Sequence, residues 1–163
     1  MKIEWTDRDF DQMSWHDNAV HAIRIVEGEH GAGEFILDLD YILEWIPGKD
    51  EEPIQFRVAP AELRFHEATQ LKVALDYVSV TASMTPFSIA RIHCERFLYE
   101  NGTESNRWRI EVNWPAGEIT FESPRFTQVL TGGGIVSGRQ SLSGSQREQL
   151  RNAVTAHDIG GRK

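Results

Sequence analysis

The stretch Glu34-Phe35-Ile36-Leu37-Asp38-Leu39-Asp40-Tyr41-Ile42-Leu43-Glu44-Trp45 decides the fold class. Phe35, Leu37, Leu39, Tyr41, Leu43 and Trp45 take every odd position, and Glu34, Asp38, Asp40 and Glu44 share the even positions with Ile36 and Ile42. A helix would scatter these side chains around its circumference, whereas a strand puts the six large apolar groups on one face and the four carboxylates on the other. The two isoleucines indicate that the second face is itself partly covered.

The same period of two recurs along the chain. Ile54, Phe56 and Val58 alternate with Gln55 and Arg57, and Leu71, Val73, Leu75 and Tyr77 alternate with Lys72, Ala74 and Asp76. Trp108, Ile110, Val112 and Trp114 alternate with Arg107, Arg109, Glu111 and Asn113; after Pro115-Ala116-Gly117 the pattern resumes at Ile119 and Phe121, which predicts a hairpin. Shorter strands are expected at Val20 to Val26, with its turn over 27–33, at Leu63 to Phe65, and at Ile89 to Leu98 before the Asn101-Gly102 turn. About eight strands with no long helical pattern between them favour antiparallel order, since parallel neighbours need long crossovers. The expectation is a mainly β protein, an antiparallel sheet folded as a sandwich or strongly bent sheet. These parities place Leu39, Val112 and Phe121 in the core and leave Asp38, Arg109 and Glu122 more exposed.

The tail reads differently. Gly132 to Gly134 and the serines and glycines up to Ser145 predict a flexible connection over 131–145. Ser145 stands three residues before Glu148, a capping-box spacing, so one short helix is expected over 146–156 with Leu150 and Val154 on its packed side.

At 163 residues the chain fits a single domain able to bury a core without staples. One cysteine, Cys94, excludes an internal disulfide and a multi-cysteine metal cage. Its neighbour His93 faces the other way on a strand and cannot serve it as a base, so a buried structural thiol is expected. The opening residues carry acids and no apolar run, and no stretch approaches the length of a membrane span, so a cytoplasmic chain without a membrane role is the expectation. The net charge of −8 is uneven: residues 1–58 hold five cations against fourteen anions (net −9), residues 59–130 are near balance at −2, and residues 131–163 carry +3. That balance argues against nucleic-acid binding, which needs clustered cations, and suits a basic protein partner.

Motifs for nucleotides, acyl transfer and zinc hydrolysis are missing from the sequence, and no cofactor is expected. The triple glycine at 132–134 lacks the Gly-Lys-Ser/Thr of a phosphate-binding loop. Two candidate sites remain. Asp38, Asp40 and Glu44 form an acidic strand face that fits a basic partner. His16, Asp17 and His21 offer metal-ligating atoms if a bend near Asn18 unites them; otherwise Asp17 caps a turn and the histidines are ordinary surface residues.

The segments Trp15-His16-Asp17-Asn18-Ala19-Val20-His21, Leu37 to Trp45, Phe56-Arg57-Val58-Ala59-Pro60-Ala61 and Trp114-Pro115-Ala116-Gly117-Glu118-Ile119 resemble a family of small uncharacterised bacterial β-rich proteins, over about residues 13 to 130. More loosely, the chain is similar to β-rich immunity proteins that accompany bacterial toxins, in which a hydrophobic residue and His-Asp precede the first strand. The resemblance implies a β fold, and no catalytic residue is carried over from it. Two functions follow as expectations: a non-catalytic protein-binding module of the immunity type, and alternatively a metal-binding protein or metal-dependent enzyme.

Overall fold

The computed structural model describes residues 1–79 and 83–160, with 154–160 described by backbone alone. Among the described residues nine strands follow in order: β1 (Glu4–Thr6), β2 (Ala19–Glu27), β3 (Gly33–Ile46), β4 (Gln55–Leu75), β5 (Phe87–Leu98), β6 (Glu104–Trp114), β7 (Gly117–Ser123), β8 (Arg125–Leu130) and β9 (Ile135–Ser137). A 3-10 helix over Asp7–Gln12 and a C-terminal helix, α1 (Gly144–Gly160), complete the chain. All strands join one antiparallel sheet that curls into a ring without becoming a barrel. The expectation of a strongly bent antiparallel sheet with one short helix is met.

The curl has a local cause. The segments read separately around 54–58, 63–65 and 71–77 are largely one 21-residue strand, β4, that pairs with β3 along one edge. Its other edge takes β9 at Phe56–Val58, β8 at Ala61–His66 and β7 at Thr69–Leu75. Between the β8 and β7 sections, Glu67 and Gln70 adopt positive φ (50° and 56°) and the register shifts. Such bulges bend a strand and increase its twist, so β4 can serve two successive partners. The ring closes through β3, β2, β5, β6 and β7, and its β2–β5 junction is only two residue pairs, Ala19 with Ser88 and Val20 with Phe87.

Inside the ring the odd-numbered face of β3 meets β4, β6, β7 and β8. Leu37, Leu39, Leu63, Ile110 and Ile119 are fully buried, and around them Phe35, Phe65, Trp108, Phe121 and Phe126 form a set of ring contacts at 4.6–6.4 Å. Each such side chain contributes roughly 1.5–3 kcal/mol by leaving water. Trp15 and Trp108 enter the core because their indole N–H groups find acceptors, Gln128 Oε1 (2.7 Å) and the Ser123 carbonyl (2.9 Å). Leu39, Val112 and Phe121 are buried and Asp38, Arg109 and Glu122 are half-buried, as the parity requires.

A second, smaller core lies on the outer side of the sheet. Ile42, Phe56, Val58 and Leu142 pack there with Ile135 and Leu150, which explains the covered even face of β3. The segment 131–145, expected to be a flexible connection, is instead a seated strap: β9 pairs with β4, Leu142 is buried, and Ser143 caps α1. The cap is a Ser143–Gln146 box, in which Gln146 N–H donates to Ser143 Oγ (3.3 Å) and Ser143 N–H donates to Gln146 Oε1 (2.8 Å), two residues before the Ser145–Glu148 pair expected. The helix accordingly starts earlier, and its backbone runs beyond Ala156. Leu150 lies on the packed side; the Val154 side chain is outside the described residues. Gly132 makes this seating possible, since a Cβ there would come within 2.7 Å of Pro60 Cγ and 3.1 Å of Leu150 Cβ. No helix among the described residues is long and apolar enough to cross a membrane.

Candidate functional site

The even positions of β3 do not form one acidic face. Asp40 sits opposite Pro60 beneath the strap and is completely buried. Its Oδ2 accepts from the Leu142 N–H (2.8 Å) and bonds His21 Nε2 (2.7 Å), while its Oδ1 is paired with Arg147 of α1. Arg147 is also buried and its guanidinium reaches Asp38 as well, which Arg151 approaches at 2.7 Å. The two arginines are four apart, hence on one helix face, and bring the tail's positive charge onto the strand's negative charge. The expectation that Asp38 and Asp40 present an open face to a basic partner is corrected by this geometry: their charge is met inside the chain.

Glu44 is separated from them by a bulge. The register passes from Ile42–Val58 directly to Glu44–Arg57, leaving Leu43 as the extra residue. One inserted residue inverts the facing of everything beyond it. Glu44 therefore lies on the opposite side from Asp38 and Asp40, exposed and paired with Arg57 at 3.1 Å. The same inversion carries Trp45 out of the main core to the outer side, 44% exposed, where it contacts Phe56 edge-on at 4.9 Å and stacks with His16 (17° between planes, 6.3 Å).

His16, Asp17 and His21 are not brought together as a ligand set. Asp17 takes φ = 60° in a turn closed by Asn18 N–H donating to the Trp15 carbonyl (3.0 Å). Its carboxylate accepts from Asn113 Nδ2 (2.9 Å) and Gln140 Nε2 (3.0 Å), fastening the strap to β6. His16 Nε2 is 3.5 Å from Asp17, but His21 faces Asp40 instead. Among the described residues no group of three or more His, Cys, Asp or Glu is placed to hold a metal ion.

Cys94 is exposed, contrary to the expected burial. It lies on the core-side face, opposite Trp108, but toward the far end of β5 where the covering thins. Desolvation still raises its thiol to about 11, helped by Asp11 and Asp7 and opposed by Arg96. Since the thiolate is the nucleophile, iodoacetamide should label Cys94 slowly at pH 7.5 and much faster as pH approaches 11. Rapid labelling near neutrality, followed by mass spectrometry, would show a thiolate that this environment does not support.

Sequence reasoning missed two features. Arg147 and Arg151 were legible as an i, i+4 pair on the predicted helix. The outer-face array of β4 and its neighbours had no sequence signal, because its members come from distant segments: Arg64 pairs with Glu62 (2.7 Å) and Glu34 (3.4 Å), and His66 Nδ1 lies 3.0 Å from Glu34 Oε2. Compared with protein-family models, curated proteins and solved structures, the chain matches none of them.

Proposed function

We propose that the protein is a binding module that docks a basic protein at the end of the β3–β4 hairpin, an immunity-type inhibitor of a basic toxin being the most specific form of this reading. The observation that carries it is the half-exposed indole of Trp45, flanked by Phe56 and His16. Ile54, 52% exposed, precedes β4 on the neighbouring strand, and the loop between the strands is Lys49-Asp50-Glu51-Glu52, all exposed. A large aromatic anchor inside a charged rim is the usual composition of an interaction hot spot. The acidic rim selects a cationic partner, a role that Asp38 and Asp40, committed to the helix, no longer fill.

The experiment is a comparative capture. Immobilised wild-type protein retains a basic partner, and Trp45→Ala weakens that complex by about 2 kcal/mol, near 30-fold in Kd. Glu51→Gln with Glu52→Gln slows association and flattens its salt dependence. A partner bound equally well by wild type and Trp45→Ala would place the interface elsewhere.

A further inference from the structure

The outer face of the sheet carries a hydroxyl, an imidazole and a carboxylate in series. Thr127 Oγ1 of β8 is 2.9 Å from His66 Nε2 of β4, and His66 Nδ1 is 3.0 Å from Glu34 Oε2 of β3. Arg64 holds Glu34 at 3.4 Å from the other side. The order fixes the tautomer: a carboxylate accepts only, so the neutral ring carries its proton on Nδ1, and Nε2 is left as the acceptor for the Thr127 O–H. A hydroxyl hydrogen-bonded to an imidazole that a carboxylate orients is the arrangement that activates an oxygen nucleophile.

We propose that Thr127 is a His66-activated nucleophile that accepts acyl groups from small aryl esters, with Glu34 as the positioning residue. This goes beyond the docking reading and uses a different surface. Thr127 Oγ1 attacks the ester carbonyl carbon as its proton passes to His66 Nε2. The C–O bond to the phenol breaks, and the leaving oxygen takes the proton from His66. Water, with His66 again as base, then releases the carboxylic acid from the acyl-threonine and restores the hydroxyl. Arg125 stands on the same face of β8, two residues before Thr127 and paired across the ladder with His66. Its exposed guanidinium is ion-paired with Glu67 at 3.3 Å; turning from that pair, it meets the developing oxyanion as a cation. Val129, two residues on and 38% exposed, gives the aryl group an apolar contact.

The test uses p-nitrophenyl acetate with the full chain on a Cys94→Ser background, so that the thiol does not compete. Peptide mapping after a short exposure should find acetyl on Thr127. His66→Gln should lower that acetylation by about 100-fold or more. Thr127→Ser should keep it on the new hydroxyl, and Glu34→Asp should retain more activity than Glu34→Gln. Circular dichroism confirms that each variant is folded; if His66→Gln is not, loss of the p-nitrophenol burst in Thr127→Val serves in its place. Acetyl confined to lysines, equal labelling of Thr127 in folded His66→Gln, or an undiminished burst in Thr127→Val would overturn the proposal.

Discussion

Asp40→Asn should destabilise the protein by about 3–5 kcal/mol, the cost of leaving one partner of a buried ion pair uncompensated. For a chain of this size that corresponds to a fall in Tm of roughly 6–20 °C. Asp40 is fully buried and serves three partners: Arg147, His21 and the Leu142 N–H. Asparagine keeps the shape but offers one accepting oxygen, and its amide hydrogens face donors that need acceptors. The Arg147 guanidinium, also buried, is left beside Asp38 alone. Because the pair is shielded from solvent, the loss should persist at high salt.

The contrast with neighbouring carboxylates makes this test specific. Glu44→Gln removes an exposed pair with Arg57 and should cost no more than about 1 kcal/mol. Combining Asp40→Leu with Arg147→Met should recover part of the Asp40→Asn loss by removing both charges, while the Leu142 N–H still lacks its acceptor. An Asp40→Asn protein that melts like wild type would mean that the ion pair does not hold α1 to the sheet.

The charge distribution is legible in the sequence, but the pairing that takes up the charge of Asp38 and Asp40 is not. The N-terminal excess of acid and the C-terminal excess of base answer each other within the chain, through Asp38 and Asp40 against Arg147 and Arg151. Period two reports which residues share a face; it does not report what covers that face. Ile36 and Ile42 signal a cover; the arginines that supply it stand in the sequence only as an i, i+4 pair, with nothing in their spacing to name the strand they meet. The bulge at Leu43 is a different kind of failure. It depends on how β3 is paired to β4, a tertiary fact, and it displaced Glu44 and Trp45 together. The continuity of β4 is hidden by Pro60 and by the loss of apolar alternation over 66–70, where Glu67 and Gln70 take positive φ. Thr127, His66 and Glu34 come from three strands, and their meeting requires the register itself.

Phe65→Ala should cost about 3–5 kcal/mol, as large a loss as any single substitution here, because it opens a cavity where β4 meets its partners. Phe65 is 1% exposed and lies 4.6 Å from the Phe121 ring, 5.0 Å from Trp108, 6.0 Å from Phe126 and 6.2 Å from Phe35. Those rings belong to β7, β6, β8 and β3, so one truncation loosens four strands that meet β4 across the core at once. The edge-on pairs with Trp108 and Phe121 each add about 0.5–1.5 kcal/mol beyond buried area. Phe65→Leu should fall between wild type and Phe65→Ala, and Val73→Ala, on an exposed position of the same strand, should stay within about 0.5 kcal/mol. Urea unfolding followed by tryptophan fluorescence and by circular dichroism should give coincident single transitions for each variant, shifted in midpoint with an unchanged slope. Separate transitions for the two probes in Phe65→Ala would show instead that the β3–β4–β8 side and the β5–β6–β7 side can unfold apart, with Phe65 acting as the joint between them.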